Sequence, residues 1–326
     1  MLNPATAAIR IGVRRTLADL EPGDTVIVAC SGGADSLALL AATVFEARQP
    51  GWRVVGATVD HGLQVGSAEH AAAVVEQMDA LGVDESVLAT VHVEAPGMGP
   101  EAAAREARYA VLEELAERID ASAVVLGHTL DDQAETVLLG LTRGSGGRAL
   151  AGMRRAFDHY RRPLLDVTRA DTEESCRAEG IEFWRDPHND DPRFTRVRVR
   201  GTVMPMLETE LGPGVAVALA RTADQLRADA DFIDKVADQA FEEVRAEDGL
   251  VLAALRQQPD AIRRRVIRLA ALAAGSPSSE LFLQHVLEVD RLVTDWHGQT
   301  GVDLPGHVRA ARDGDHLMFR KGPVAG

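Results

Sequence analysis

Apolar and polar positions follow two alternating rhythms along the first half of the chain. Short apolar runs at Val26 to Cys30, Arg53 to Asp60, Ser86 to His92 and Ala123 to Gly127 are rich in β-favouring residues and predict strands. Between them, apolar positions recur at helical spacing from Asp35 to about Arg48, from Ser67 to Leu81, from the Pro96 to Pro100 loop to about Ile119, and onward from about Leu130. An amphipathic helix from Pro4 to Leu20 comes first, with Asn3 as its N-cap and Pro4 at its first position. Strands separated by helices predict a parallel sheet covered on both faces, a doubly wound α/β fold. In such a sheet ligands gather beyond the C-terminal ends of the strands.

Past Leu141 the pattern dissolves into the glycine–arginine run Arg143 to Arg148. Helical spacing resumes from Thr172 to Glu179, a polar loop holds Asp186 to Pro192, and Phe194 to Leu211 predicts a helix broken near Pro205. Gly212-Pro213-Gly214 is the clearest linker, so the chain divides into residues 1–212 and a smaller helical domain over 213–326. That second part holds a long helix from Val215 to about Glu247, shorter ones at Ile262 to Ala273 and Leu281 to Trp296, and a β-like piece from Val302 to Phe319 turning at Asp313-Gly314.

The chemistry concentrates where the first strand meets its helix, at Ser31-Gly32-Gly33-Ala34-Asp35-Ser36. Two glycines let the backbone approach a ligand, and the helix behind offers free N–H groups and a positive dipole end, a combination that suits phosphates. A Walker loop would carry a lysine, and this turn has none. An acid inside a phosphate turn makes sense with a divalent cation between carboxylate and phosphates, so Asp35 points to a magnesium nucleotide. An ordinary capped βα turn would also use Gly-Gly, but the whole hexapeptide after an apolar strand is more specific. Asp60 and His61 end the second strand beside it, and Arg105 and Arg108 share one helix face. Asp131, Asp132 and Glu135 fall in the first turns of the helix after the fourth strand, more acids than capping needs. They could hold a second magnesium or receive a proton from an attacking amine.

Net charge is −15, which argues against a nucleic-acid partner until its distribution is considered. Arg143 to Arg200 contains 13 arginines, no lysine and 10 acids, so this stretch carries +3 while the remainder carries −18. Arg193, Arg196, Arg198 and Arg200 have no acid between Pro192 and Leu207 to pair with, which favours RNA phosphate contact over a solvated face. Two distant cysteines, Cys30 and Cys176, argue against a thiolate metal site or a disulfide framework. No apolar run approaches a membrane span and no secretory leader pattern opens the chain, so a cytoplasmic location is expected.

SGGADS resembles the SGGxDS signature of the ATP pyrophosphatase (PP-loop) superfamily, which has an adenine nucleotide alpha-hydrolase-like fold. With VDHGL, ARxxRY, GHxxDDQAET, RGSGxxxLAGM, RPLL and DPHNDDxxFxRxRxR following in order, the chain resembles bacterial tRNA(Ile)-lysidine synthetase, closely over about residues 25 to 212. The resemblance implies adenylation of the C2 carbonyl of the wobble cytidine in a CAU-anticodon tRNA(Ile) by ATP, then attack by free L-lysine with release of AMP. It implies that Ser31, Gly32, Gly33, Asp35 and Ser36 hold the ATP phosphates and Mg2+, with Asp60 and His61 near the nucleotide. Arg105 and Arg108 would then lie near the reacting phosphate or cytidine, and Asp132 and Glu135 at the chemical centre, Asp132 joining Asp35 as a metal ligand. Arg143, Arg148 and the later arginines would meet the tRNA; a homodimer is left open. Gln64 stands where many members have arginine, and longer members continue into another domain that contacts the acceptor end. A thiolation enzyme of the same fold would need cysteines such as CxxC. Amide-forming synthetases lack the GHxxDDQAET and arginine-rich segments, and a non-catalytic nucleotide-binding regulator would have no use for acids facing the phosphates.

Overall fold

The computed structural model describes residues 2–60, 62, 66–91, 100–142, 147–186, 191–247 and 249–322, with side chains of 100–102 left out. Two compact units emerge, one of residues 1–139 and 152–222 and the other of residues 140–151 and 223–326.

In chain order the elements are α1 (Pro4–Thr16), β1 (Thr25–Ala29), α2 (Ala34–Ala47), β2 (Arg53–Asp60), α3 (Ser67–Leu81), β3 (Glu85–Thr90), α4 (Pro100–Ile119), β4 (Ala123–Leu126) and α5 (Leu130–Thr142). The short α6 (Gly147–Leu150) follows, then the strands β5 (Ala156–Phe157) and β6 (Tyr160–Arg161), α7 (Arg169–Glu179), α8 (Thr195–Arg198) and α9 (Met204–Glu210). As expected from the alternation, the first unit is built on a mostly parallel sheet, in the order β3-β2-β1-β4-β6-β5, with only β5 antiparallel to its neighbour. The β5–β6 hairpin leaves no signal in the sequence, because two-residue strands carry no periodicity. β1 lies between β2 and β4, so the chain runs to opposite sides from it and a crevice opens beyond its C-terminal end.

Each face of the sheet has its own apolar layer. Ile9 and Val13 of α1, Leu37 and Leu40 of α2, Met78 of α3 and Cys176 of α7 pack on one side. Ile27, Val55, Ala57 and Leu126 meet Leu112 and Leu115 of α4 on the other. The helix expected to break near Pro205 is modified earlier, by a π-turn at Val199–Val203; Pro205 sits at the start of α9, where its missing N–H does no harm.

The boundary between units falls at Thr222–Ala223, inside α10 (Val215–Val244), rather than at Gly212-Pro213-Gly214. Gly212 and Gly214 do adopt positive φ, 93° and 100°, but they separate α9 from α10 and not one core from the next. The second unit contains β7 (Arg245–Ala246), β8 (Gly249–Val251), α11 (Leu252–Gln257), α12 (Asp260–Ala273), α13 (Leu283–Thr294), β9 (Val302–Leu304), β10 (Val308–Asp313) and β11 (His316–Lys321). The β-like C-terminal piece is thus part of a five-stranded antiparallel sheet, ordered β7-β8-β11-β10-β9. A buried ion pair ties α12 to α13: Arg263 Nε donates to Asp290 Oδ1 at 2.6 Å, with the residues 6% and 4% exposed. No helix of the described residues is long and apolar enough to cross a membrane.

Candidate active site

The turn from β1 into α2 is held in shape by its own side chains. Ser36 Oγ accepts from the Ser31 backbone N–H at 3.1 Å and donates to the Gly33 carbonyl at 2.9 Å. Gly32 takes φ +77°, and a Cβ there would lie 2.6 Å from Val74 Cγ2, so both conformation and space require glycine. Gly33 caps α2 without a side-chain bond, leaving the first-turn N–H groups for a ligand. From outside, the Trp184 backbone N–H donates to the Gly32 carbonyl at 2.9 Å, and the His70 ring packs tilted against Trp184 with centroids 4.0 Å apart.

Facing this turn is an interlocked set of acids and arginines. Arg169, at the first position of α7, lies 2.9 Å from Asp132, 3.6 Å from Glu135 and 3.7 Å from Asp35. Arg200 donates to Glu135 at 2.7 and 3.1 Å and reaches Asp132 at 3.3 Å; Arg196 lies 3.2 Å from Glu135 and donates to Thr136. Thr172 donates to Asp35. Burial raises the Asp35 carboxyl to about 6, only partly opposed by Thr172 and Arg169, with the Asp132 charge adding to the rise. Burial also acts on Asp132, but Arg169, the Thr129 amide, His128 and Arg200 outweigh it and hold that carboxyl below its usual value. Burial drives His128 down to about 3, so it is neutral at pH 7. Arg162 Nε donates to His128 Nδ1 at 3.3 Å, which leaves the ring proton on Nε2.

Asp35, His128, Asp132, Arg169 and Arg200 of this set border a cleft of about 590 Å³ at the C-terminal ends of β1, β2 and β4. Ser31, Gly33, Asp35, Ser36, Arg105, Arg108, Asp132 and Arg200 all line it. Among the described residues, neither Arg105 nor Arg108 is bridged to a carboxylate. Gly127 permits the close fit of β4 against this corner, since a Cβ there would lie 3.2 Å from the Asp35 backbone.

Several expected residues stand elsewhere. Glu135 is 1% exposed and sits behind the arginines, not on the cleft wall. Asp131 accepts from the Arg169 backbone N–H at 2.7 Å and so caps α7. Asp60 is buried at the end of β2, accepting from the Gly62 N–H. The expectation that the later arginines lack acidic partners fails: Arg196 and Arg200 are paired by acids of α5, 61 and more positions earlier, and Arg193 by Asp191 at 2.6 Å. The Arg196 and Arg200 pairings cannot be found by searching the neighbouring sequence for acids, whereas Asp191 lies just before the stretch searched. Arg198 is bonded to Pro192 and Arg193 carbonyls, and Arg148, in the second unit, is held by Asp234 at 2.7 Å. His61 and Arg143 lie outside the described residues.

Arg169, Thr172, His128, Arg162, Tyr109 and Trp184 were not among the candidates. His128, Tyr109 and Arg162 stood inside the short motifs, whereas nothing local marked Arg169 or Thr172. Among the described residues no group of three or more His, Cys, Asp or Glu is placed to hold a metal. Asp35 and Asp132 nevertheless suit magnesium, which is commonly held by one or two carboxylates together with water and substrate phosphates.

A PP-loop domain profile matches residues 7–207, and a TilS substrate binding domain profile matches residues 250–318. The tRNA(Ile)-lysidine synthase of Thermobifida fusca is 54% identical over 316 residues, covering 97% of both chains. The chain belongs to the tRNA(Ile)-lysidine synthase family. The Streptomyces coelicolor member is 49% identical, over 98% of this chain and 99% of its own. Among solved structures, the U34-tRNA thiolase NcsA from Methanococcus maripaludis, with its 4Fe-4S cluster, superposes with a TM-score of 0.58 at 19% identity, covering 68% of this chain and 79% of that one. That likeness establishes the fold alone. Membership of this PP-loop family implies that the chain uses ATP.

Proposed function

We propose that this protein joins L-lysine to C2 of the wobble cytidine of tRNA(Ile) with a CAU anticodon, converting ATP to AMP and pyrophosphate. The observation that carries the reading is Asp35, set in a lysine-free phosphate turn and facing Asp132 across one cleft, in a chain of this family. The turn amides, Ser31 and Ser36 bind the phosphates. Asp35 and Asp132 would hold Mg2+, which would offset the phosphate charge. Arg105 and Arg108 on the cleft wall meet the α-phosphate or the cytidine.

The cytidine O2 attacks the α-phosphorus and pyrophosphate leaves. The lysine Nζ then adds at C2, the C2–O bond breaks with AMP departing, and a carboxylate takes the amine proton. Asp132 is the α5 acid that reaches the cleft, whereas Glu135 is buried behind Arg196 and Arg200, so Asp132 is the better placed acceptor of the two. His128, neutral with Nε2–H, adds an uncharged donor to the same wall.

tRNA-dependent formation of AMP, measured with and without lysine, tests this. AMP should appear only with tRNA present, and lysine should become covalently attached to it. ADP as the main product, or tRNA-dependent AMP formation that joins no lysine to the tRNA, would refute the proposal. A homodimer is a separate expectation, checked by light scattering.

A further inference from the structure

A Walker loop carries its phosphate-binding cation in its own sequence, and Ser31 to Ser36 has none. We propose that Arg169, brought from α7, supplies that cation and contacts the ATP phosphates directly. It lines the cleft together with Ser31, Gly33 and Asp35. Of the three arginines around the acids it is the one in ion-pair range of Asp35, and so of the turn itself. Arg200 is engaged by two hydrogen bonds to the buried Glu135, and Arg196 does not line the cleft. Arg105 and Arg108 come from α4, on the face of the sheet opposite α2 and α7.

The two ends of Arg169 are held very differently. Its backbone is fixed: Thr168 and Asp171 form a capping box around it, and its N–H is bound by Asp131. Its guanidinium has one charged hydrogen bond, to Asp132, and two looser contacts at 3.6 and 3.7 Å. Without nucleotide it neutralises acids that would otherwise repel a polyphosphate. When Asp35 and Asp132 turn to a magnesium ion, the guanidinium loses these partners and the phosphates become its nearest anions. The planar fork suits them, since arginine binds phosphate oxygens bidentately.

Calorimetric titration of the full chain with ATP, with and without Mg2+ and without tRNA, tests the assignment on R169Q, R169K and, as a control on the outer face of α7, R177Q. In R169Q the affinity for ATP should fall about 10- to 100-fold, the range for a lost hydrogen bond to a charged group. Adenosine affinity should change less than about twofold, because it has no phosphate to lose. R169K should recover part of the loss, keeping charge but not the fork, and R177Q should match wild type. Unchanged ATP affinity in folded R169Q, or equal losses for ATP and adenosine, overturns the proposal. If R169Q does not fold, R169K decides: ATP affinity reduced with adenosine unaffected supports it, and wild-type ATP affinity overturns it. Because the titration needs only the family's use of ATP, its failure is distinguishable from failure of lysine transfer to tRNA.

Discussion

Burial lifts the Asp35 carboxyl from 3.8 to about 6, so the folded protein binds this proton more tightly than the unfolded chain does. Stability is therefore lost as pH rises from about 4 through about 6, and the loss is complete above that window. A rise of about two units corresponds to about 3 kcal/mol, and the one-quarter exposure of the side chain reduces this to about 2 kcal/mol. Asp35→Asn is nearly isosteric, is neutral at every pH and still accepts the Thr172 hydrogen bond. At pH 8 the ligand-free variant should melt about 4–8 °C above wild type, taking about 2–4 °C per kcal/mol for a unit of this size. The gap should shrink toward zero at pH 4, while AMP formation is lost. Differential scanning calorimetry of both proteins from pH 4 to 8 measures this. A gap that does not change with pH, or a variant less stable than wild type at pH 8, would refute the reasoning.

Glu135→Ala removes the buried partner of Arg196 and Arg200 and should cost about 3 kcal/mol, the low end for breaking a buried pair because the arginines can regain water. A urea-denaturation cycle with Arg200→Ala should give a coupling above about 0.5 kcal/mol, and additivity would sink the idea. Arg193→Ala with Arg198→Ala, on the exposed side of the α8 segment, should weaken tRNA binding and reduce the salt slope by roughly 0.7 to 0.9 per arginine without changing ATP affinity. An unchanged slope would return these residues to the solvated surface. Replacing Cys30 and Cys176 by serine should leave AMP formation within about threefold of wild type, since both thiols are buried and the Cys30 thiol is pushed up by burial. A large loss in a folded variant would revive thiol chemistry.

The parallel sheet could be read from the chain because β1, β2 and β4 are apolar runs long enough to show their period, and because the turn residues between β1 and α2 are few and specific. The two-residue strands β5 to β7 were hidden for the opposite reason. Asp35, Arg105 and Arg108 could be found from spacing along one element. Arg169 could not, because its meaning comes from three carboxylates that the fold collects from α2 and α5. The pairing of Arg196 and Arg200 is hidden from the sequence likewise, since charge compensation operates through space.

The second unit draws residues 140–151 from the middle of the chain and the rest from beyond residue 222. On the ribosome, Arg148 therefore emerges 86 residues before the Asp234 that will hold it. At about 5–20 residues per second that is a wait on the order of 4–17 s. During that interval α6, which carries Arg148, lacks this partner, a short way downstream of the helix that carries Asp132. Synthesis order alone thus leaves Arg148 without this carboxylate until residues 149–234 have been made.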